Sequence, residues 1–187
     1  MSIQRSVLIL TLALGSLFSV SPVSAAGRGE VVDRLKAVFI YKFPKYVTWR
    51  DSTPKDEFRI AVVGNCGVER FLREFSDEDI LRPRTVRVAR YEEVGKVGAC
   101  HILFVASSAR KELRRVLAKA KKEGILTVGD TKGYAAEGVA INFIETRERL
   151  RFEINRTAAE RAGLVLSSEL LKLATRVIVE EPTHVAP

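Results

Sequence analysis

The chain is short of the residues that build metal centres and disulfide frameworks. Its 187 residues include two cysteines, two histidines and one tryptophan. Two cysteines do not make a disulfide-scaffolded domain. His101 lies alone in an apolar stretch and His184 sits near the end, so Cys, His and carboxylates never meet at zinc-ligand spacing. No metal and no cofactor are expected. A G-x-S-x-G elbow, a phosphate loop and a G-x-G-x-x-G fingerprint are all missing, which removes the common hydrolase, nucleotide-binding and dinucleotide-binding classes.

Long apolar runs are equally scarce. The one that exists is Val7–Val20, about 14 residues against the roughly 20 of a spanning helix. It follows Arg5 and is closed by Pro22 and Val23-Ser24-Ala25, the three-part pattern of a secretory signal peptide. Residues 1–25 are therefore expected to be cleaved, leaving an exported domain over 26–179 without a transmembrane segment and a disordered tail over 180–187. Removal of the signal costs only Arg5 among the charges, so the net charge of +8 falls by one. In an exported protein that surplus points to an acidic partner surface or an anionic membrane face, not to nucleic acid.

Apolar residues recur at three- and four-residue steps from Glu30 to Trp49 (Val31, Leu35, Val38, Phe39, Phe43, Tyr46), which predicts a helix that Pro44 kinks or ends near Phe43. A turn is expected at Asp51–Pro54. Phe58–Val63 reads as a buried strand, Val68–Phe75 as a helix, Thr85–Arg90 as a strand with one wet face, and Cys100–Ala106 as an apolar strand. Ser107 or Ser108 is expected to cap a helix over Ala109–Glu123, which Gly124 ends before a strand at Ile125–Val128. Gly138–Ile144 and Leu150–Asn155 read as a hairpin. Asn155 caps a short helix to Ala162, and Ser167 caps a last helix running to about Val177. The order predicts a three-layer α/β domain: a mostly parallel, Rossmann-like sheet with helices on both faces and an added antiparallel hairpin.

Ligands in such sheets sit beyond the carboxyl ends of the strands. Gly64, Asn65, Gly67, Ser107, Ser108 and Asp130 fall at those ends and form a candidate crevice. The bland alternative is that turns need glycine and helix starts need serine whatever binds there. A Ser–His pair is excluded, because His101 opens the strand that Ser107 follows, roughly 20 Å away. Cys66 follows one strand and Cys100 begins another. If the strands are parallel, the pair lies at opposite ends of the sheet, beyond the ~7 Å that a disulfide allows. No Cys66–Cys100 bond is expected. Two surfaces could meet a partner: the outward side of the first helix, with Tyr41, Lys42, Lys45 and Trp49, and the basic helix, with Arg114, Arg115 and Lys122.

Several blocks together resemble the YfiR family of exported bacterial proteins. They are KAVFIYKFPKYVTW (Lys36–Trp49), FRIAVVG (Phe58–Gly64), ACHILFV (Ala99–Val105), ILTVGDTKGYAAEGVAINF (Ile125–Phe143) and the most specific, RFEINRTAAERAGLVLSSELLKLA (Arg151–Ala174). The resemblance implies a non-catalytic periplasmic regulator that restrains an inner-membrane diguanylate cyclase and so controls cyclic di-GMP and biofilm. It also leaves room for a homodimer, or for a small-molecule sensory module acting with a sensor kinase. It implies a cysteine in the first strand to pair with Cys100. Here Ala61 occupies that region and Cys66 lies beyond it.

Overall fold

The computed structural model describes residues 25–49, 57–77, 85–146 and 149–180. The expected signal core, the turn at Asp51–Pro54 and residues 181–187 lie outside the described residues. Helix α1 (Ala25–Lys42) gives way at Pro44 to a 3-10 turn, Phe43–Lys45, and a short strand β1 (Val47–Thr48). There follow β2 (Glu57–Val63), α2 (Val68–Asp77), β3 (Thr85–Tyr91), β4 (Ile102–Val105), a 3-10 segment Ser107–Glu112, α3 (Leu113–Glu123) and β5 (Leu126–Gly129). The chain closes with β6 (Ile141–Glu145), β7 (Leu150–Asn155), α4 (Arg156–Arg161), β8 (Val165–Leu166), α5 (Ser168–Leu173) and β9 (Arg176–Ile178).

Seven strands form one sheet in the order β3-β2-β4-β5-β6-β7-β9. Every neighbouring pair is parallel except the β6–β7 hairpin. Strands β1 and β8 form a separate antiparallel pair. Alternation along β4 shows how the layers arise. Ile102 and Phe104 join a core with Ala37, Ile40 and Phe43 of the α1 region and Leu72 and Phe75 of α2. Leu103 and Val105 join a second core with Leu113, Val116 and Ala120 of α3 and with Tyr134 and Val139. The side-chain period of two in a strand thus divides one apolar run between two helical layers.

Three expectations need correction. The last helix stops at Leu173, and Arg176–Ile178 forms β9 beside β7 instead. The β-branched run Val177-Ile178-Val179 prefers extended backbone, and Thr175 starts the pairing: both its N–H (2.9 Å) and its hydroxyl (3.0 Å) donate to the Phe152 carbonyl. Next, neither Ser107 nor Ser108 caps α3. A 3-10 segment intervenes, and no side-chain cap is formed at Ala106 or Glu112. Finally, Glu180 is held, its N–H donating to Thr157 Oγ1 at 2.8 Å and its carboxylate pairing with Arg161 at 2.7 Å. The predicted caps at Asn155 and Ser167 are formed, accepting from Ala158 N (2.8 Å) and Leu170 N (3.2 Å).

The expected apolar stripe departs only at its start, since Phe43 is buried and Val38, Phe39 and Tyr46 pack against the core. Val31 and Leu35 are exposed, while Lys36, Ala37, Ile40 and Tyr41 are buried. Lys36 turns inward to meet Asp130 at the end of β5.

Candidate functional site

Beyond the carboxyl ends of β2, β4 and β5 the crevice is occupied by the chain's own side chains. At one corner the loop after β2 is clamped to the segment after β4. Ser108 Oγ accepts from Asn65 N–H at 2.8 Å and donates to the Asn65 carbonyl at 3.0 Å. Gly64 permits this approach: it has φ +94°, and a Cβ there would lie 2.7 Å from Ser108 Oγ. The Asn65 N–H that could have held an anion is therefore already used.

At the other corner α1 fills the space. A Cβ on Gly67 would collide with the carboxylate of Asp33, so glycine lets that carboxylate lie against the start of α2, where a helix favours negative charge. Lys36 Nζ donates to Asp130 Oδ2 at 2.8 Å and to Asp33 Oδ1 at 3.4 Å. Burial alone would lower the Lys36 pKa, but Asp130 and then Asp33 outweigh it, and the pKa is raised above its ordinary value. Burial raises the Cys66 thiol, the N–H groups of Glu69 and Val68 pull it down, and Asp130 and Asp33 push it up again. This arrangement stores a fixed internal ion network. It does not activate a nucleophile, because carboxylates beside a thiol oppose the thiolate.

The structure thus brings Gly64, Asn65 and Ser108 together, and Gly67 and Asp130 together through α1. Ser107 is exposed and stands outside this clamp, which uses Ser108. Asp33 and Lys36 were not expected at the site. Asp33 and Lys36 are spaced i, i+3, but Arg28, Glu30, Arg34 and Lys42 share their helix, so the sequence did not single them out.

Both cysteines are free. In the parallel register Ile60 pairs with Ile102, so Cys100 lies level with the amino end of β2 and Cys66 past its carboxyl end. Burial pushes the Cys100 thiol up to about 12. Native protein at pH 8 should therefore show two thiols by mass, with iodoacetamide modifying half-buried Cys66 well before Cys100. Prompt labelling of Cys100 would contradict the burial.

The two candidate docking surfaces fare differently. Tyr41 is corrected: it is only 3 % exposed, its hydroxyl donates to the Leu72 carbonyl at 3.1 Å, and its ring meets Phe75 edge-on. It cannot serve as an outward anchor. Trp49 is half-buried at the amino end of the sheet, its Nε1 donating to the His101 carbonyl at 3.3 Å and its ring against Phe58. Lys42 and Lys45 are exposed, as are Arg114, Arg115 and Lys122 on α3. Along α3, Lys119 pairs with Glu123 at 2.9 Å and Arg115 reaches Glu112 only at 3.7 Å, leaving a basic face.

The fold and site define a three-layer α/β domain in which the first helix fills much of the candidate crevice. Among the described residues no group of His, Cys, Asp and Glu could hold a metal, and no helix is long and apolar enough to cross a membrane. The YfiR/HmsC-like family model (DUF4154) matches residues 33–175, and the chain belongs to that family. None of the curated proteins matches it. Among solved structures it is similar to a conserved domain protein from Vibrio cholerae O1 biovar El Tor, with a TM-score of 0.56 and 12 % identity over 78 % of this chain and 60 % of that one. It is also similar to the ABC domain in complex with L-Trp from Streptococcus pneumoniae, with a TM-score of 0.53, 10 % identity and the same coverages of 78 % and 60 %. These likenesses show the fold. The chain spans about 60 % of the length of both structures.

Proposed function

We propose that the protein is a non-catalytic periplasmic regulator that docks onto the periplasmic part of an inner-membrane diguanylate cyclase and restrains it. Family membership over residues 33–175 is the observation that carries this reading. The largely filled crevice and the raised thiols favour a binding role over catalysis, and the signal-like residues 1–25 favour the periplasm. The basic face of α3, with Arg114, Arg115 and Lys122, is the first choice of docking surface. Lys42 and Lys45, with the half-buried Trp49, are the second.

The deciding experiment is co-purification with the cyclase, combined with deletion of the gene and measurement of cyclic di-GMP. Deletion should raise cyclic di-GMP. An unchanged level would remove the cyclase and leave a sensor kinase as the partner. Replacing Arg114, Arg115 and Lys122 with glutamate should slow association by roughly tenfold or more at low salt, and the wild-type rate should fall as salt rises. Dissociation should change much less, since exposed charges steer encounter more than they hold the complex. A variant with an unaltered association rate would move the docking surface away from α3.

A further inference from the structure

The two edges of the sheet are unlike. At one edge β9 is three residues long, a short edge strand of the kind that discourages pairing with other chains. At the other edge β3 runs for seven residues, Thr85–Tyr91, all in register with β2 and without a proline or glycine among them. Among the described residues no strand lies on its outer side. Two hydrogen bonds fix the direction of its backbone groups. The Tyr91 carbonyl accepts from the Gly64 N–H, so the main-chain groups of Tyr91 face β2. The Val86 carbonyl accepts from Ser76 Oγ on α2, on the other side. Successive residues of a strand turn these groups to opposite sides, so Val88 and Arg90 present theirs outward as well.

Both faces beside this edge are hollow. Parallel strands are usually joined through a helix, but the link from β3 to β4 holds only a 3-10 turn, Val94–Lys96. The face of β3 that bears Arg87, Ala89 and Tyr91 is left over a cavity of about 500 Å³, which Glu57 and Arg59 of β2 also line. On the opposite face a cavity of about 250 Å³ lies between α2 and the edge, lined by Arg73, Ser76, Val86 and Val88. A strand added to β3 would send alternate side chains to these two faces. Each face carries two arginines for one glutamate. Glu57 pairs with both Arg59 and Arg87. Glu69 pairs with Arg73 at 2.7 Å and with Arg90 at 3.2 Å. Each face therefore keeps a surplus positive charge. A second copy of β3 would bring like charges together across the new pair, whereas an acidic strand meets them with opposite charge on both faces. We propose that the free edge of β3 docks an extended, acidic segment of a partner protein by strand addition. The proposal does not rest on the cyclase reading, because it concerns direct binding to the purified protein and uses neither α3 nor Lys42 and Lys45.

The probe is the peptide acetyl-TEEVVEET-amide, titrated by calorimetry into the purified full chain at low salt. It should bind saturably, and acetyl-TKKVVKKT-amide should not. Two versions of the acidic peptide, N-methylated at alternate sets of residues, separate strand addition from charge attraction. One set of N–H groups faces β3 and the other faces away, so one version should bind like the parent and the other should lose roughly tenfold or more. Val88→Pro removes the central outward N–H at a place where an edge strand tolerates proline, and should also lose roughly tenfold or more. Should that variant fail to fold, Arg87→Gln with Arg90→Gln decides. Both side chains are exposed, and affinity should fall several-fold and lose most of its salt dependence. Three results would overturn the proposal. One is no saturable binding of the acidic peptide. Another is equal behaviour of the two N-methylated versions. The third is a protein that sediments as a dimer and becomes a monomer with Val88→Pro, which would give the edge to a second copy.

Discussion

Phe43→Ala should destabilise the protein by about 4 kcal/mol, the middle of the range for truncating a buried aromatic. Phe43 is 1 % exposed and stands where α1 ends. Its ring centroid lies 6.5 Å from Phe39, 6.0 Å from Phe143 and 5.9 Å from Phe152. The cluster ties the start of the chain to the β6–β7 hairpin, so truncation removes both transfer energy and aromatic contacts, and leaves a cavity between elements distant in sequence. For a domain of this size the melting temperature should fall by roughly 8–16 °C. Urea unfolding checks it: the midpoint should drop with little change in slope, because the surface exposed on unfolding is nearly the same. Phe43→Leu, which keeps most of the volume, should cost about 1.5 kcal/mol or less. A loss under about 1 kcal/mol for the alanine variant would mean that α1 is not seated as described.

This cluster also shows what a sequence can and cannot reveal. Pro44 announced the end of α1, because a prolyl ring cannot continue a helix, and the observed 3-10 turn starts one residue earlier, at Phe43. The apolar strands were readable because residues buried on both faces form continuous runs, as Ile102–Val105 does. Parallel order followed from alternating strands and helices. The β1–β8 pair was not readable. Two residues from each of two segments more than a hundred positions apart carry no local period. Strand β9 was written in its β-branched residues, but no glycine or proline separates it from α5, and the serine cap made one longer helix the simpler reading.

The candidate site divides in the same way. The glycines and Ser108 were visible as turn residues, and the structure explains Gly64 and Gly67 by close approach rather than by a ligand. Tyr41 was assigned to the outward side of the first helix together with Lys42, Lys45 and Trp49. In the fold Trp49 leaves the helix for the sheet's amino end, which frees the buried face for Tyr41. The basic face of α3 was readable throughout, because an exposed helix displays its charges at fixed spacing.

Lys36→Met should cost about 3 kcal/mol at neutral pH, although methionine matches the apolar stem of lysine well. The Lys36 side chain is 10 % exposed and that of Asp130 15 %, with 2.8 Å between the charged atoms. Removing one member of a buried pair strands the other, and here Asp33 as well, without a cation. Asp130→Asn in the same background should recover much of the loss, giving a coupling energy of about 2 kcal/mol in a double-mutant cycle. The pH dependence has a definite sign. The Lys36 pKa is raised in the folded protein above the ordinary 10.5. Its contribution is therefore complete below that value and is lost only as pH climbs through the higher folded pKa. Between pH 7 and 10 the wild-type advantage over Lys36→Met should be flat, and above that it should shrink. The consequence for α1 is local. With the ion network cut, the half of the helix that overhangs the crevice loses its inward anchor, and its amide hydrogens should exchange faster than those of β4 and β5. A cost below about 1 kcal/mol, or unchanged exchange in α1, would mean that the apolar contacts of Ala37 and Ile40 hold the helix without Lys36.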